Sequence, residues 1–249
     1  MTRSREDFER VLGLVGEGLN DCEIARRTSL PRSTVRDWRL GRAGTAPRWA
    51  PFGSECGAEH EFSGLPATSY TYLLGMYLGD GCLSQGRRDV WRLRITADRR
   101  YTRVIDECSA AMQAVMPTNR ASRIIRSSRC VDISMYSKHW PCLFPQHGPG
   151  RKHDRAIYLE PWQEALVDSA AESFVRGLIH SDGCRIVVSD RGVASVRYHF
   201  SNRSEDIKRM LCTRLDQLGI RWTRPNDRGI AVYRKDAVAR LDSFVGPKR

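Results

Sequence analysis

No apolar run in this sequence approaches the ~20 residues that a membrane-spanning helix needs, and the longest, Tyr72 to Leu78, is far too short. Paired cysteines are missing as well. The eight cysteines (22, 56, 82, 108, 130, 142, 184 and 212) stand singly, with no CxxC, so they read as reduced thiols and not as a disulfide framework. No two histidines fall into HxH or HExxH spacing, and Cys56 with His60 alone do not make a zinc site. The opening residues, MTRSREDFER, offer no apolar stretch, so no secretory signal is expected and a cytoplasmic location is. Acid is in deficit. With 29 Asp+Glu against 41 Lys+Arg the formal charge is +12, and a polyanion becomes the first partner to consider. What is present, 41% apolar and 28% charged residues over 249 positions, excludes wholesale disorder and allows one large domain or two small ones.

Residues 1–42 read as a small all-helical domain. Phe8, Val11, Leu12 and Val15 recur on one helix face, and Gly16 and Gly18 end that helix. Asn20 or Asp21 caps a second helix running to Thr28; Ser29-Leu30-Pro31 breaks it, and a third runs from Arg32 to Leu40. Ile24, Ala25, Ser29, Leu30, Val35 and Trp38 together resemble the helix-turn-helix of resolvases, invertases and many bacterial regulators. Those families usually have Gly where Ser29 stands, so a strained turn is expected there. The outward face of the third helix offers Arg32, Ser33, Thr34, Arg36, Asp37 and Arg39. Arginines and small hydroxyls suit base edges and phosphates in a major groove. Ala43 to Pro66 is rich in Gly, Pro and Ala without periodicity, and 43–69 is read as a linker.

The remainder, 70–249, is organised as a repeat. Leu73 to Gly81 reads LLGMYLGDG and Val175 to Gly183 reads VRGLIHSDG, each continuing into a cysteine. After each motif come an alternating run (Trp91 to Thr96; Val196 to Ser201), a helical pattern (Ile105, Cys108, Met112; Ile207, Leu211, Leu215) and further alternation (Val131 to Tyr136; Ile220 to Thr223 and Ile230 to Tyr233). Each half is therefore expected to be αββαββα. Gly75 with Gly79, and Gly177 with Ser181, lie four apart on one helix face, where small residues let two backbones approach. Each helix then stops at Asp followed by Gly, which predicts a left-handed glycine cap. An Asp at a helix carboxyl end faces the negative end of the dipole. Two such carboxylates brought together call for a cation, and Mg²⁺ or Mn²⁺ suits carboxylates with phosphate.

The pattern resembles the LAGLIDADG homing endonucleases in their single-chain, two-motif form, from about Tyr70 to Gly246, and extends to GPGRKHDR at 148–155 and FSNRSEDI at 200–207. The resemblance implies an α+β saddle, complete as a monomer, lying over the DNA major groove. It also implies a metal-dependent phosphodiester hydrolase, with no small-molecule cofactor. Asp80 and Asp182 would be catalytic, each serving one strand, with metal contacts also from the backbone carbonyls of Gly79 and Ser181. Leu78 and His180 stand where acidic residues are common in the family.

The alternating runs put Arg92, Arg94 and Thr96 on one face, and likewise Arg197, His199 and Ser201, and Arg221 with Thr223. These basic or hydroxyl-bearing faces, with Asp132 as the acidic exception, are the expected groove-facing surface. Lys138, Arg151, Lys152 and Arg155 are basic candidates near the cleavage centre, and His139, His147 and His153 read as loop or phosphate contacts. Two functions follow from this sequence. One is a sequence-selective DNA endonuclease, nucleoid-associated and aided by the helix-turn-helix. The other is a cleavage-inactive transcription regulator; bacterial sporulation regulators pair a degenerate LAGLIDADG fold with a helix-turn-helix placed after it. An intein is not expected, since no nucleophile stands at the start and the end reads Gly-Pro-Lys-Arg.

Overall fold

The structure, a computed structural model, describes residues 5–40, 60–190, 193–246 and 248. The chain divides into two compact units, and Cys56 and most of the stretch read as linker lie outside the described residues.

The first unit holds α1 (Arg5–Gly16), α2 (Asp21–Thr28) and α3 (Arg32–Arg39). Val11, Ile24, Leu30, Val35 and Trp38 form its core, with Phe8, Val15 and Ala25 packed against it. Leu12 departs from the expected face and is exposed; Leu14 takes the place beside the core instead. Asn20 starts α2 with a reciprocal capping box, its Oδ1 accepting from the backbone of Cys22 and Glu23 while Glu23 accepts from the Asn20 N–H. The turn runs through Ser29 at φ 55°, ψ 24°, the left-handed region that favours glycine.

The second unit is α+β. Its first half runs α4 (Ala67–Asp80), β1 (Gly81–Gln85), β2 (Trp91–Asp98), α5 (Thr102–Val115), β3 (Ser122–Ile125), β4 (Cys130–Ser137) and the short α6 (Trp140–Leu143). After α7 (Pro161–Ser169) the order repeats as α8 (Ala171–Asp182), β5 (Gly183–Asp190), β6 (Val193–Ser201), α9 (Glu205–Gln217), β7 (Thr223–Asn226), β8 (Gly229–Val232) and α10 (Lys235–Phe244). Two antiparallel four-stranded sheets result, ordered β1-β2-β4-β3 and β5-β6-β8-β7. The same strand order in both halves, each sheet led by one motif helix, makes the fold a duplicated αββαββα unit.

α4 is buried from Tyr70 through Leu78 without interruption, which fits a helix surrounded by protein. α8 is its main packing partner. Trp91, Leu93, Ile95 and Ala97 turn from β2 into the core, as do Tyr198 and Phe200 from β6. From His60 onward the stretch read as linker is folded against this unit: Phe62 stacks on Trp162 with ring centroids 3.9 Å apart, and α4 begins at Ala67. The run from Ile220 is not wholly strand. Ile220 is buried at the end of α9, Trp222 donates to Asp216 Oδ1 at 2.8 Å, and pairing begins at Thr223.

Candidate catalytic centre and nucleic-acid interface

The geometry of the centre follows from how closely α4 and α8 approach. A Cβ on Gly75 would lie 2.6 Å from Phe174 O and 2.7 Å from Leu178 N, and one on Gly177 would fall on the Tyr72 carbonyl oxygen. One on Gly79 would collide with the Ser181 side chain and lie 3.0 Å from Asp182 Oδ2. The second carboxylate therefore sits over the end of α4, one residue before Asp80. Both helices stop at their Asp, but not through a left-handed glycine. Gly81 (φ −88°) and Gly183 (φ −103°) are extended and already belong to β1 and β5. Glycine is required there for space: a Cβ on Gly81 would lie 2.5 Å from Tyr77 Cα, and one on Gly183 2.8 Å from Ile179 Cα. The strand turns back so sharply across the helix end that only a hydrogen fits.

Burial disfavours the ionised form of both carboxylates. Burial, then the charge of Asp182, pushes Asp80 up to about 6, and burial likewise raises Asp182. Asp80 is nonetheless exposed, whereas Asp182 is half-buried and accepts from Asn202 Nδ2 at 2.6 Å. Two ammonium groups oppose the shift. Lys152 Nζ donates to the carbonyls of Tyr77 (2.5 Å), Gly79 (3.3 Å) and Gly81 (2.6 Å), and lies 4.7 Å from the Tyr77 ring centroid. Lys248 Nζ donates to Ser181 O at 2.9 Å. Burial lowers both lysines, Lys152 to about 8.

Lys248 and Asn202 were not singled out by sequence reasoning, although signals for both existed. Gly148-Pro-Gly-Arg-Lys152 and Gly246-Pro-Lys248-Arg follow corresponding points of the two repeats. Asn202 lies in the FSNRSEDI stretch; its backbone N–H bonds Arg228 O at 3.0 Å as that of Arg99 bonds Arg129 O at 2.9 Å, so the two positions correspond. His180, one of the departures from the acidic pattern, is a buried bridge. Its Nδ1 is 3.0 Å from Tyr72 Oη across the helix pair, and burial pushes it down to about 3, so the ring is neutral. Leu78, the other departure, is core.

Asp80, Asp182 and the carbonyls of Gly79 and Ser181 form an all-oxygen donor set, two of them charged. That chemistry fits Mg²⁺ or Mn²⁺. Among the described residues no cluster of three His, Cys, Asp or Glu side chains exists.

The sheets present the other predicted residues. Arg92, Arg94 and Thr96 are half-exposed on one face of β2, opposite Ser84, Cys82 and, on β4, Tyr136, Ser134 and Asp132. Arg92 donates to Ser134 Oγ at 3.1 Å and lies over the Tyr136 ring, while Arg94 donates to Cys82 Sγ at 3.4 Å. Asp132, the acidic exception, is buried and paired with Arg126 (2.5 Å) and Thr96 (2.8 Å), so it adds no free negative charge to the face. In the second sheet Arg197 and His199 are half-exposed on β6, and Thr223 lies across from Ala231. Arg221 is exposed just ahead of β7.

Lys138 differs from expectation. It follows Ser137, which pairs with Trp91, whereas Gly81 pairs with Ile95, so Lys138 lies beyond the far end of the sheet from the carboxylates. Arg151 is exposed beside Lys152, and Arg155 is tied to Gln146 O at 3.0 Å. In the first unit Arg32, Ser33, Arg36 and Arg39 are exposed and Thr34 is half-buried; Arg39 pairs with Asp21 at 2.8 Å, joining α2 to α3.

No protein-family model matches the chain, and no curated protein does either. Among solved structures, mesophilic variants of the homing endonuclease I-DmoI are similar, with a TM-score of 0.48 and 14% identity over 72% of this chain and 96% of that one. The LAGLIDADG meganuclease I-AabMI, bound to uncleaved DNA, gives 0.45 and 13% over 70% and 82%. Full-length DUF199/WhiA from Thermatoga maritima gives 0.46 and 14% over 79% of this chain and 60% of that one.

Proposed function

We propose that the chain binds double-stranded DNA and hydrolyses its phosphodiester bonds at the Asp80–Asp182 centre, as a LAGLIDADG-type endonuclease. One observation carries this: at the ends of two helices whose closest approach is lined by Gly75, Gly79, Gly177 and Ser181, Asp182 is brought against the residue before Asp80, near enough for its charge to act on the Asp80 carboxyl. Holding two like charges there, each partly desolvated, costs stability, which points to a role in chemistry rather than in folding. In this reading 1–42 is a helix-turn-helix that adds DNA contacts, 70–249 holds the monomeric nuclease fold, and the linker of 43–69 is shortened by its residues from His60 onward, which fold with the nuclease unit.

Asp80 and Asp182, with the carbonyls of Gly79 and Ser181, would hold the divalent ion. Bound there, such an ion supplies charge neutralisation at the scissile phosphate and a more acidic water. The protein's own residues do the positioning. Asn202 fixes the Asp182 carboxylate, Lys152 and Lys248 place positive charge where phosphate oxygens would approach, and the rigid helix pair sets the spacing of the acids. Arg92, Arg94, Arg197, His199 and Thr223 would face base edges and phosphates, with Arg221, Lys138 and the α3 residues Arg32, Ser33, Thr34, Arg36 and Arg39 as outlying contacts.

A second reading, a transcription regulator without cleavage, is favoured by the ammonium groups on the Gly79 and Ser181 carbonyls. Selection of bound fragments from a random DNA pool, followed by gel shift at graded salt, tests the shared claim. The expected result is a selected site whose affinity falls steeply with salt and weakens on Arg92→Ala or Arg197→Ala; no selectable site would refute both readings.

A further inference from the structure

The two lysines stand on the oxygens that the metal reading needs. Gly79 and Ser181 are matching residues, each just before its aspartate, and each carbonyl accepts from an ammonium: Lys152 at 3.3 Å and Lys248 at 2.9 Å. Lys152 also takes up the Tyr77 and Gly81 carbonyls, so the end of α4 is closed by one cation bonded to three oxygens. Tyr77 and Tyr101 place ring faces against the two ammonium groups, with centroids at 4.7 and 5.7 Å. These contacts hold the cations by ring quadrupole as well as by hydrogen bond. A divalent ion entering the same oxygens would meet a like charge at contact distance, in a place poorly screened by salt. Both lysines are on flexible four-carbon stems, and a phosphate oxygen is a stronger acceptor for an ammonium than a neutral carbonyl.

We propose that Lys152 and Lys248 are resident counter-ions that keep the Asp80–Asp182 centre closed to divalent metal in the DNA-free protein, and release it when a phosphate draws them away. The release step rests on the proposed DNA function; the closure concerns the free protein alone. Metal and DNA binding are then coupled, each favouring the other by the same factor.

The test is a titration of Mn²⁺ into metal-free, DNA-free full-length protein, with unbound ion followed by electron paramagnetic resonance. Wild type, Lys152→Met, Lys248→Met and the double variant are compared after circular dichroism shows that each is folded. The double variant is expected to take up Mn²⁺ at least about tenfold more tightly than wild type, because two positive charges have left the site. Adding Asp182→Asn to that background should abolish the uptake. Wild-type uptake as tight as that of the double variant, or folded variants that gain none, overturns the proposal. Should the methionine variants fail to fold, Lys152→Gln and Lys248→Gln replace them with the same criteria. A gel shift on the same samples separates the two claims: protein that binds no DNA refutes the functional reading and leaves the Mn²⁺ result standing.

Discussion

Gly79→Ala with its rescue by Ser181→Gly is the sharpest test of the helix seam that builds the candidate centre. The new methyl would meet Ser181 Oγ and Cβ and come within 3.0 Å of Asp182 Oδ2. Ser181 Cβ is fixed to its own helix backbone, so rotating the hydroxyl away does not relieve the clash; α4 and α8 must part. Overpacking of this kind costs about 1–3 kcal/mol, and the backbone-bound contact argues for the upper end. For a unit of this size each kcal/mol lowers Tm by about 2–4 °C, so a loss of roughly 6–12 °C is expected. Ser181→Gly alone should cost only about 0.5 kcal/mol, mostly in helix propensity, since the bonds lost are a local one from Oγ to Leu178 O at 2.9 Å and a long one across the seam to Gly75 O at 3.5 Å. In the double variant the methyl and the vacated side chain exchange sides of the seam. Most of the loss should return, giving a coupling of about 2 kcal/mol in a double-mutant cycle by urea unfolding. A double variant no more stable than Gly79→Ala would show that the two residues do not meet.

Three further outcomes are expected. Because the fold raises Asp80 from 3.8 to about 6, its ionised form opposes folding, so stability from this group is greatest under acid conditions and declines as pH rises through about 6. The shift corresponds to about 3 kcal/mol at face value, and the solvent exposure of Asp80 discounts it to about 1 kcal/mol; Asp80→Asn should therefore raise Tm near pH 8 and leave it unchanged near pH 4, and equal effects at both would contradict this. Arg126→Ala leaves the buried Asp132 carboxylate with only Thr96, and should cost about 2 kcal/mol near pH 7, with the loss shrinking as acid protonates Asp132; a neutral result by urea unfolding would count against the ion pair. Ser29→Gly relieves a left-handed serine and should slow hydrogen exchange of α2 and α3 amides by a free energy of about 0.5–1 kcal/mol, whereas faster exchange would contradict the turn geometry.

What the sequence made legible was whatever two local patterns could carry. The duplicated Gly–Asp–Gly motif marked both helices at the centre, and strict alternation marked β2 and most of β6, because a sheet with one buried face imposes a period of two. Long-range packing set the rest. Gly81 and Gly183 look like ordinary helix stops, yet their backbones are extended and their constraint is the helix turn beneath them. Lys248 lies 66 residues after Asp182 and reaches its neighbour's carbonyl only through the folded repeat. Lys138 and Lys152 look equally placed in the sequence; strand register puts the first far from the carboxylates, whereas a short turn carries the second onto the carbonyls at the end of α4. Leu12 and Leu14 differ by half a helical turn, and only the contacts of a three-helix core decide between them.

The central claim, that the paired carboxylates perform phosphodiester hydrolysis, is tested most directly by nicking of a supercoiled plasmid carrying the selected DNA site, in Mg²⁺ or Mn²⁺, beside a gel shift on the same DNA. The account predicts that wild type nicks it, and that Asp80→Asn and Asp182→Asn lose cleavage by at least about 100-fold while still binding, because charge stabilisation of the phosphate dominates such a reaction. Tight binding by wild type with no nicking in either metal would contradict it and leave the regulator reading in its place.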